Sequence, residues 1–189
     1  MTDQLQRSLA AKRRQATGRR FEQRLDAMHA SYEVRKLGKI VPHYPRTVLV
    51  PGRGRMFAKG GAPVDYSGVL RIPHTDADGG TDPRMVRAVA FDAKVMHDEH
   101  ASYTHPKEQR HQLLQLMGFH RGGALAFLLF EDRVAGQLVV VHGLEIFDAL
   151  LSGEAIRLRG EPRWPRTPVR TGTDYEYRSI LHQLLAPVR

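Results

Sequence analysis

Residues 86 to 95 read Val86-Arg87-Ala88-Val89-Ala90-Phe91-Asp92-Ala93-Lys94-Val95, an apolar segment that carries one acid and one lysine two positions apart near its end. Side chains alternate between the two faces of a strand. The pattern predicts Val89, Phe91 and Ala93 on a core face, with Asp92 and Lys94 projecting together on the other. Upstream, Pro63-Val64-Asp65-Tyr66-Ser67-Gly68 leads into strand signals at Val69 to Ile72, and an Asp/Gly-rich turn at Asp76 to Asp82 separates the two segments. If these strands pair, Asp65 and Asp92 converge on one cation.

Working outward, Phe21, Leu25, Met28 and Tyr32 recur at helical spacing, which predicts a helix from Gly18 to about Lys36, stopped by Gly38. Ile40 to Val50 reads as extended, broken by Pro42 and Pro45, and Pro51-Gly52-Arg53-Gly54-Arg55 with Lys59-Gly60-Gly61 as a basic loop or hairpin tip. Pro106 starts a predicted helix that turns Leu113, Leu116 and Met117 inward and ends near Gly118. Ala124 to Phe130 and Leu138 to Val141 follow as strands joined by a hairpin, then Leu144 to Leu151 and Tyr175 to Leu185 as helices. This order predicts an α/β fold, a small mixed sheet flanked by helices.

With 189 residues, 41% hydrophobic, and no cysteine, the chain suits one domain with a real core and excludes a disulfide-stapled miniprotein or a cysteine-ligated zinc site. No apolar run approaches the roughly 18 residues of a membrane span, and no apolar stretch follows the N-terminal charges; the expected location is the cytoplasm, with no membrane contact. Residues 1–16 are polar and basic, with Leu5 and Leu9 the only spaced apolar anchors, and are expected to form a flexible arm or a frayed helix, leaving 17–189 as a single domain.

The net charge of +9 is unevenly placed: +5 over residues 1–24, +7 over 35–59 without a single acid, −5 over 60–156 and +4 over 157–189. Basic flanks around an acidic middle suit an enzyme that binds a polyanion and holds a cation. Phosphodiester hydrolysis needs a hard divalent ion, and Mg²⁺ accepts one or two carboxylates; an adjacent lysine orients water and offsets developing charge. Alone, Asp-Ala-Lys is a weak signal.

Other combinations are less informative. His97, Asp98, Glu99, His100 and His105 lack the spacing of a zinc motif and read as loop residues, and Gly52-x-Gly54 lacks the strand-then-helix setting of a nucleotide loop. Trp164 between Arg163 and Pro165 reads as a core or edge residue. No Ser-His-Asp arrangement follows from spacing.

Taken jointly, Gly18-Arg19-Arg20-Phe21-Glu22, Tyr32, Pro42 and Pro45, Asp65-Tyr66-Ser67-Gly68, Phe91-Asp92-Ala93-Lys94 and His111-Gln112 resemble the RecU-type Holliday junction resolvases of the PD-(D/E)xK nuclease superfamily, over roughly residues 17–145. The resemblance implies a restriction-endonuclease-like core with a protruding basic stalk, a homodimer, and Mg²⁺-dependent paired nicking of four-way DNA junctions in recombination and repair, with Mn²⁺ able to substitute. It implies Asp65 and Asp92 as metal ligands, Lys94 as the catalytic lysine, Glu22 as an accessory acid and Gln112 near the scissile phosphate. The stalk corresponds to residues 46–61; Arg46, Arg53, Arg55 and Lys59, with Arg19 and Arg20, are the expected DNA contacts, and recombinase or branch-migration proteins are conceivable partners. The chain departs from the family in having Asp92 where Glu is usual and Ala62-Pro63-Val64 where threonines precede the Asp-Tyr pair. The rival readings are another nuclease of this superfamily, acting on other branched or duplex DNA, and a non-catalytic DNA-binding protein.

Overall fold

The structure, a computed structural model, describes residues 3–44, 47–50, 54–57, 64–75, 81–82, 85–96, 102–104, 110–161, 163–169 and 176–185. The side chains of residues 3, 4, 7, 47–50, 54–57, 74–75 and 81–82 lie outside that description. Helix α1 (Asp3–Val34) is followed by strands β1 (Gly38–Pro42), β2 (Thr47–Val50), β3 (Gly54–Phe57), β4 (Tyr66–Arg71), β5 (His74–Thr75), β6 (Thr81–Asp82), β7 (Val86–Met96) and β8 (Ser102–Tyr103). Then come α2 (Arg110–Arg121), β9 (Leu125–Asp132), β10 (Gln137–His142), α3 (Gly143–Ser152), β11 (Ile156–Arg157), β12 (Arg166–Pro168) and a 3₁₀ helix, Arg178–Leu184.

Six strands form one mixed sheet in the order β1-β4-β7-β9-β10-β12, with β7 and β9 parallel and the other neighbours antiparallel. A parallel pair needs a crossover, and α2 lies in that connection. The sheet is apolar on both faces. On one, Phe21, Leu25, Met28 and Tyr32 of α1 pack against Tyr66, Val89, Phe91, Phe127 and Leu129, together with Tyr177, Ile180 and Leu181 of the C-terminal segment. On the other, Leu113, Leu116 and Ile146 of α2 and α3 pack against Ala90, Leu128, Phe130, Val139 and Val141. Every residue of β9 is buried, as expected of a central strand covered on both sides. Tyr66, Phe91 and Phe127 occupy one cross-strand row and their rings stack, 5.0 and 4.7 Å between centroids.

Several expectations are revised. Only one face of the Val86–Val95 strand is predicted to be in the core, yet Ala90 and Asp92 on the other face are fully buried, because α2 covers them. The first helix begins at Asp3 rather than near Thr17, so residues 3–16 continue it; Leu5 and Leu9 stay exposed on that extension. Gly118 does not end the second helix, since one helical glycine costs only about 1 kcal/mol. The stop is at Gly122-Gly123, where Gly123 takes φ +86°. The last predicted helix is a shorter 3₁₀ segment. The short pairs β5–β6 and β8–β11 and the edge strand β12 carried no strand signal.

The extended segment and basic tip do pair: β2 and β3 form an antiparallel hairpin, Thr47 opposite Phe57 and Val50 opposite Gly54. Arg46, Arg53 and Lys59, the 97–101 cluster and His105 lie outside the described residues, and of Arg55 only the backbone is described.

His29 sits in the α1-side core, 4% exposed, its Nε2 hydrogen-bonded to the Tyr177 hydroxyl at 3.1 Å and its ring edge-on to Tyr66 and Phe91. Burial disfavours the charged ring and lowers its pKa to about 3. The unfolded chain therefore takes up a proton below about 6.5 that the fold refuses, and stability falls with pH through that window at ~1.4 kcal/mol per unit. Urea unfolding from pH 7 to about pH 4 is expected to show this slope, and His29→Gln to remove it.

Candidate active site

The register that pairs β4 with β7 places Tyr66 opposite Phe91, so Asp65, immediately before β4, is carried next to Asp92. The two acids brace each other's backbone. The Asp65 N–H donates to Asp92 Oδ1 at 2.8 Å, and the Ala93 N–H donates to Asp65 Oδ2 at 2.9 Å. Lys94 projects on the same face, its Nζ 3.7 Å from Asp92 Oδ2 and 3.9 Å from Asp65 Oδ2. Gln112, on the first turn of α2, accepts from Lys94 Nζ at 3.5 Å. Residues from three separate segments thus meet at one end of the sheet. Gly68 keeps β1 close there: a Cβ at this position would collide with the Lys39 carbonyl.

Glu22 approaches from α1. Its pKa is raised, first by burial and then by the neighbouring Asp65 and Asp26 carboxylates, with Lys94 and Arg19 opposing. Asp92 is fully buried, and burial raises its pKa to about 6 against the pull of Lys94. Its Oδ2 is buried without a hydrogen-bond partner, Lys94 standing within ion-pair but beyond hydrogen-bond range. A buried carboxylate oxygen left in this way is costly unless a cation completes it.

Among the described residues, no three histidine or carboxylate side chains lie close enough to enclose a metal ion. Mg²⁺ does not need such a cage, because one or two carboxylates suffice when water and substrate phosphate fill the remaining positions. Asp65 and Asp92 fit that donor set: two hard oxygen ligands side by side, one half-exposed toward solvent at 30% and one buried with an unsatisfied oxygen.

All five residues expected at the centre, Asp65, Asp92, Lys94, Glu22 and Gln112, are therefore brought together, and Arg19 and Arg20 lie exposed on α1 just before Glu22. Sequence reading missed three others. Asp26 lies one helical turn after Glu22 and accepts from the Tyr66 hydroxyl at 3.1 Å, a proximity that helical spacing could have revealed. Burial, then the charges of Asp92 and Asp65, raises the Tyr103 phenol, which marks it as a neighbour of the pair. His43 donates its N–H to the Asp65 carbonyl at 2.8 Å and is hydrogen-bonded through Nε2 to Ser67 Oγ at 2.6 Å, a contact no local pattern announces.

Among the described residues, no helix is long and apolar enough to cross a membrane. Compared with known proteins, the sequence matches no protein-family model and no curated protein.

Proposed function

We infer that this chain is a divalent-cation-dependent DNA endonuclease with a restriction-endonuclease-like core, acting as a RecU-type resolvase that, as a homodimer, makes paired nicks in four-way junctions. The observation that carries the reading is the meeting of Asp65, Asp92 and Lys94 on one face of β4 and β7, with Gln112 on the lysine and Glu22 alongside. Mg²⁺ bound there supplies a Lewis acid for the scissile phosphate and for the attacking water.

The chain's own groups do the rest. The reciprocal backbone hydrogen bonds hold the two carboxylates in fixed positions before substrate arrives, so no reorganisation is needed during reaction. Lys94 Nζ offers donors at the mouth of the pair, where it orients a water and offsets charge developing on a phosphate oxygen. Gln112 limits the rotamers open to that amine. Arg19 and Arg20 extend positive charge beside the site, and basic residues that contact phosphates fix register without reading bases, which suits selection by DNA shape. A two-fold dimer presents two such sites to a near-symmetric junction.

The test is incubation of the purified protein with labelled four-way junction, duplex, flap and single-stranded DNA, with and without Mg²⁺. Paired nicks in the junction, only with Mg²⁺, are the expected result. Equal cutting of duplex or flap replaces the resolvase with another nuclease of the same chemistry, and binding without cleavage of any substrate replaces the enzyme with a DNA-binding protein.

A further inference from the structure

The described side chains of residues 5–16, the N-terminal half of α1, are all exposed, and an isolated polar helix of that length is marginal in water. Along it runs an open groove of about 670 Å³ whose lining includes Leu9, Arg13, Arg14, Thr17 and Arg20 of the helix and Arg133 of the β9–β10 turn. No acid lines it. In the folded body, by contrast, Arg24 pairs with Glu131, Arg159 with Asp132, Arg163 with Glu145 and Arg178 with Glu176. Among the described residues, no carboxylate lies within ion-pair distance of Arg13, Arg14, Arg20 or Arg133.

The groove opens at the same end of the sheet as the candidate active site: Arg133 follows Asp132, whose partner in the parallel register is Met96, two residues beyond Lys94. Arg13 and Arg20 are seven residues apart, hence on one helical face with Thr17 between them. From Gln6 to Arg20 the helix rises about 21 Å, the axial length of about six base pairs of duplex DNA. Four guanidiniums with no carboxylate partner among the described residues, gathered along one groove, complement a repeating anion rather than a single one.

We propose that this groove is a second DNA-binding surface, which holds the phosphate backbone of a duplex arm leading away from the candidate active site, over about six base pairs. The choice of DNA as the polyanion rests on the nuclease reading; the groove itself does not. Since the contacts are to phosphates, they add affinity equally for every sequence and steepen the salt dependence.

The test uses the full chain and its Arg13→Gln/Arg133→Gln variant, neither residue being part of the candidate active site, with circular dichroism and melting to confirm the fold. Binding to a 30-base-pair duplex and to a four-way junction is measured against salt, with hydroxyl-radical footprinting of the arms. The slope of log K against log[salt] is expected to become shallower by roughly 1.8, two contacts at about 0.9 each, equally for unrelated sequences, and about six base pairs of arm protection to disappear. An unchanged slope and footprint in a folded variant overturns the proposal. So does a variant whose only change is weaker self-association in sedimentation, which makes the groove an interface between copies, or one that loses affinity for an acidic polypeptide but not for DNA. If the wild type cuts no DNA while the slope still falls, the nuclease reading fails and the groove stands.

Discussion

Asp92→Asn is expected to reduce Mg²⁺-dependent DNA cleavage by roughly a thousandfold or more, about 4 kcal/mol of transition-state stabilisation, while junction binding is kept. The substitution preserves shape. An asparagine oxygen can still accept the Asp65 N–H that Asp92 Oδ1 accepts at 2.8 Å, so the brace between the two segments survives. What disappears is the negative charge on a fully buried group whose second oxygen has no hydrogen-bond partner. Holding that charge in the core costs the fold free energy, so the variant is expected to melt at the same temperature as wild type or higher. Mg²⁺ should raise the melting temperature of the wild type and leave that of the variant unchanged, because a ligand stabilises only the state that binds it. Cleavage that persists in Asp92→Asn removes Asp92 from the site, and a variant that melts well below wild type makes the residue structural.

Arg159→Ala is expected to cost about 3–5 kcal/mol, a large part of a typical domain's 5–15 kcal/mol, with activity lost only through unfolding. Asp132 is fully buried at the end of β9, and Arg159 grips it in two places, Nε to Oδ2 at 2.7 Å and Nη2 to Oδ1 at 2.6 Å. The same carboxylate accepts the N–H groups of Val134 and Ala135 at 3.1 Å each and so shapes the β9–β10 turn. Burial alone would raise the pKa of Asp132, but the Arg159 hydrogen bonds and the turn amides outweigh it and the net shift is downward. That contribution is complete above the ordinary carboxylate range and fades as pH falls through the lowered value. Removing the arginine leaves an uncompensated buried charge, and Arg159→Lys should recover only part of the loss because an ammonium cannot reproduce the two-pronged contact. Urea unfolding of the three proteins at neutral pH measures the effect; a loss below about 1 kcal/mol in Arg159→Ala would show that the pair adds little.

Much of the fold is readable along the chain because the dominant signals are local. Phe21, Leu25, Met28 and Tyr32 mark a helix face by spacing, and all four are buried. The continuous apolar run at Ala124 to Phe130 marks a central strand, and the acid-free basic segment around Pro51 contains a hairpin. What misleads is also local. The basic residues before Thr17 carry no apolar stripe, so nothing there points to a core, and the helix nonetheless continues through them. Gly118 resembles a stop, yet an exposed helical glycine with no close neighbour is tolerated.

The candidate site divides in the same way. That Asp92 and Lys94 share a face follows from the two-residue period of a strand and needs no tertiary information. That Asp65 meets them is conditional in the sequence on its strand pairing with this one, and the β4–β7 register supplies that condition. That Asp92 is buried with a free oxygen depends on α2 covering a face that alternation alone assigns to solvent. The arginine groove needs the turn after β9 to reach α1, more than a hundred residues away in the chain, and the Arg24–Glu131 pair holds the two together at 2.6 Å. Periodicity is a property of neighbours along the backbone and can be read one residue at a time; register, burial and the meeting of distant charges are properties of packing, which only the folded chain decides.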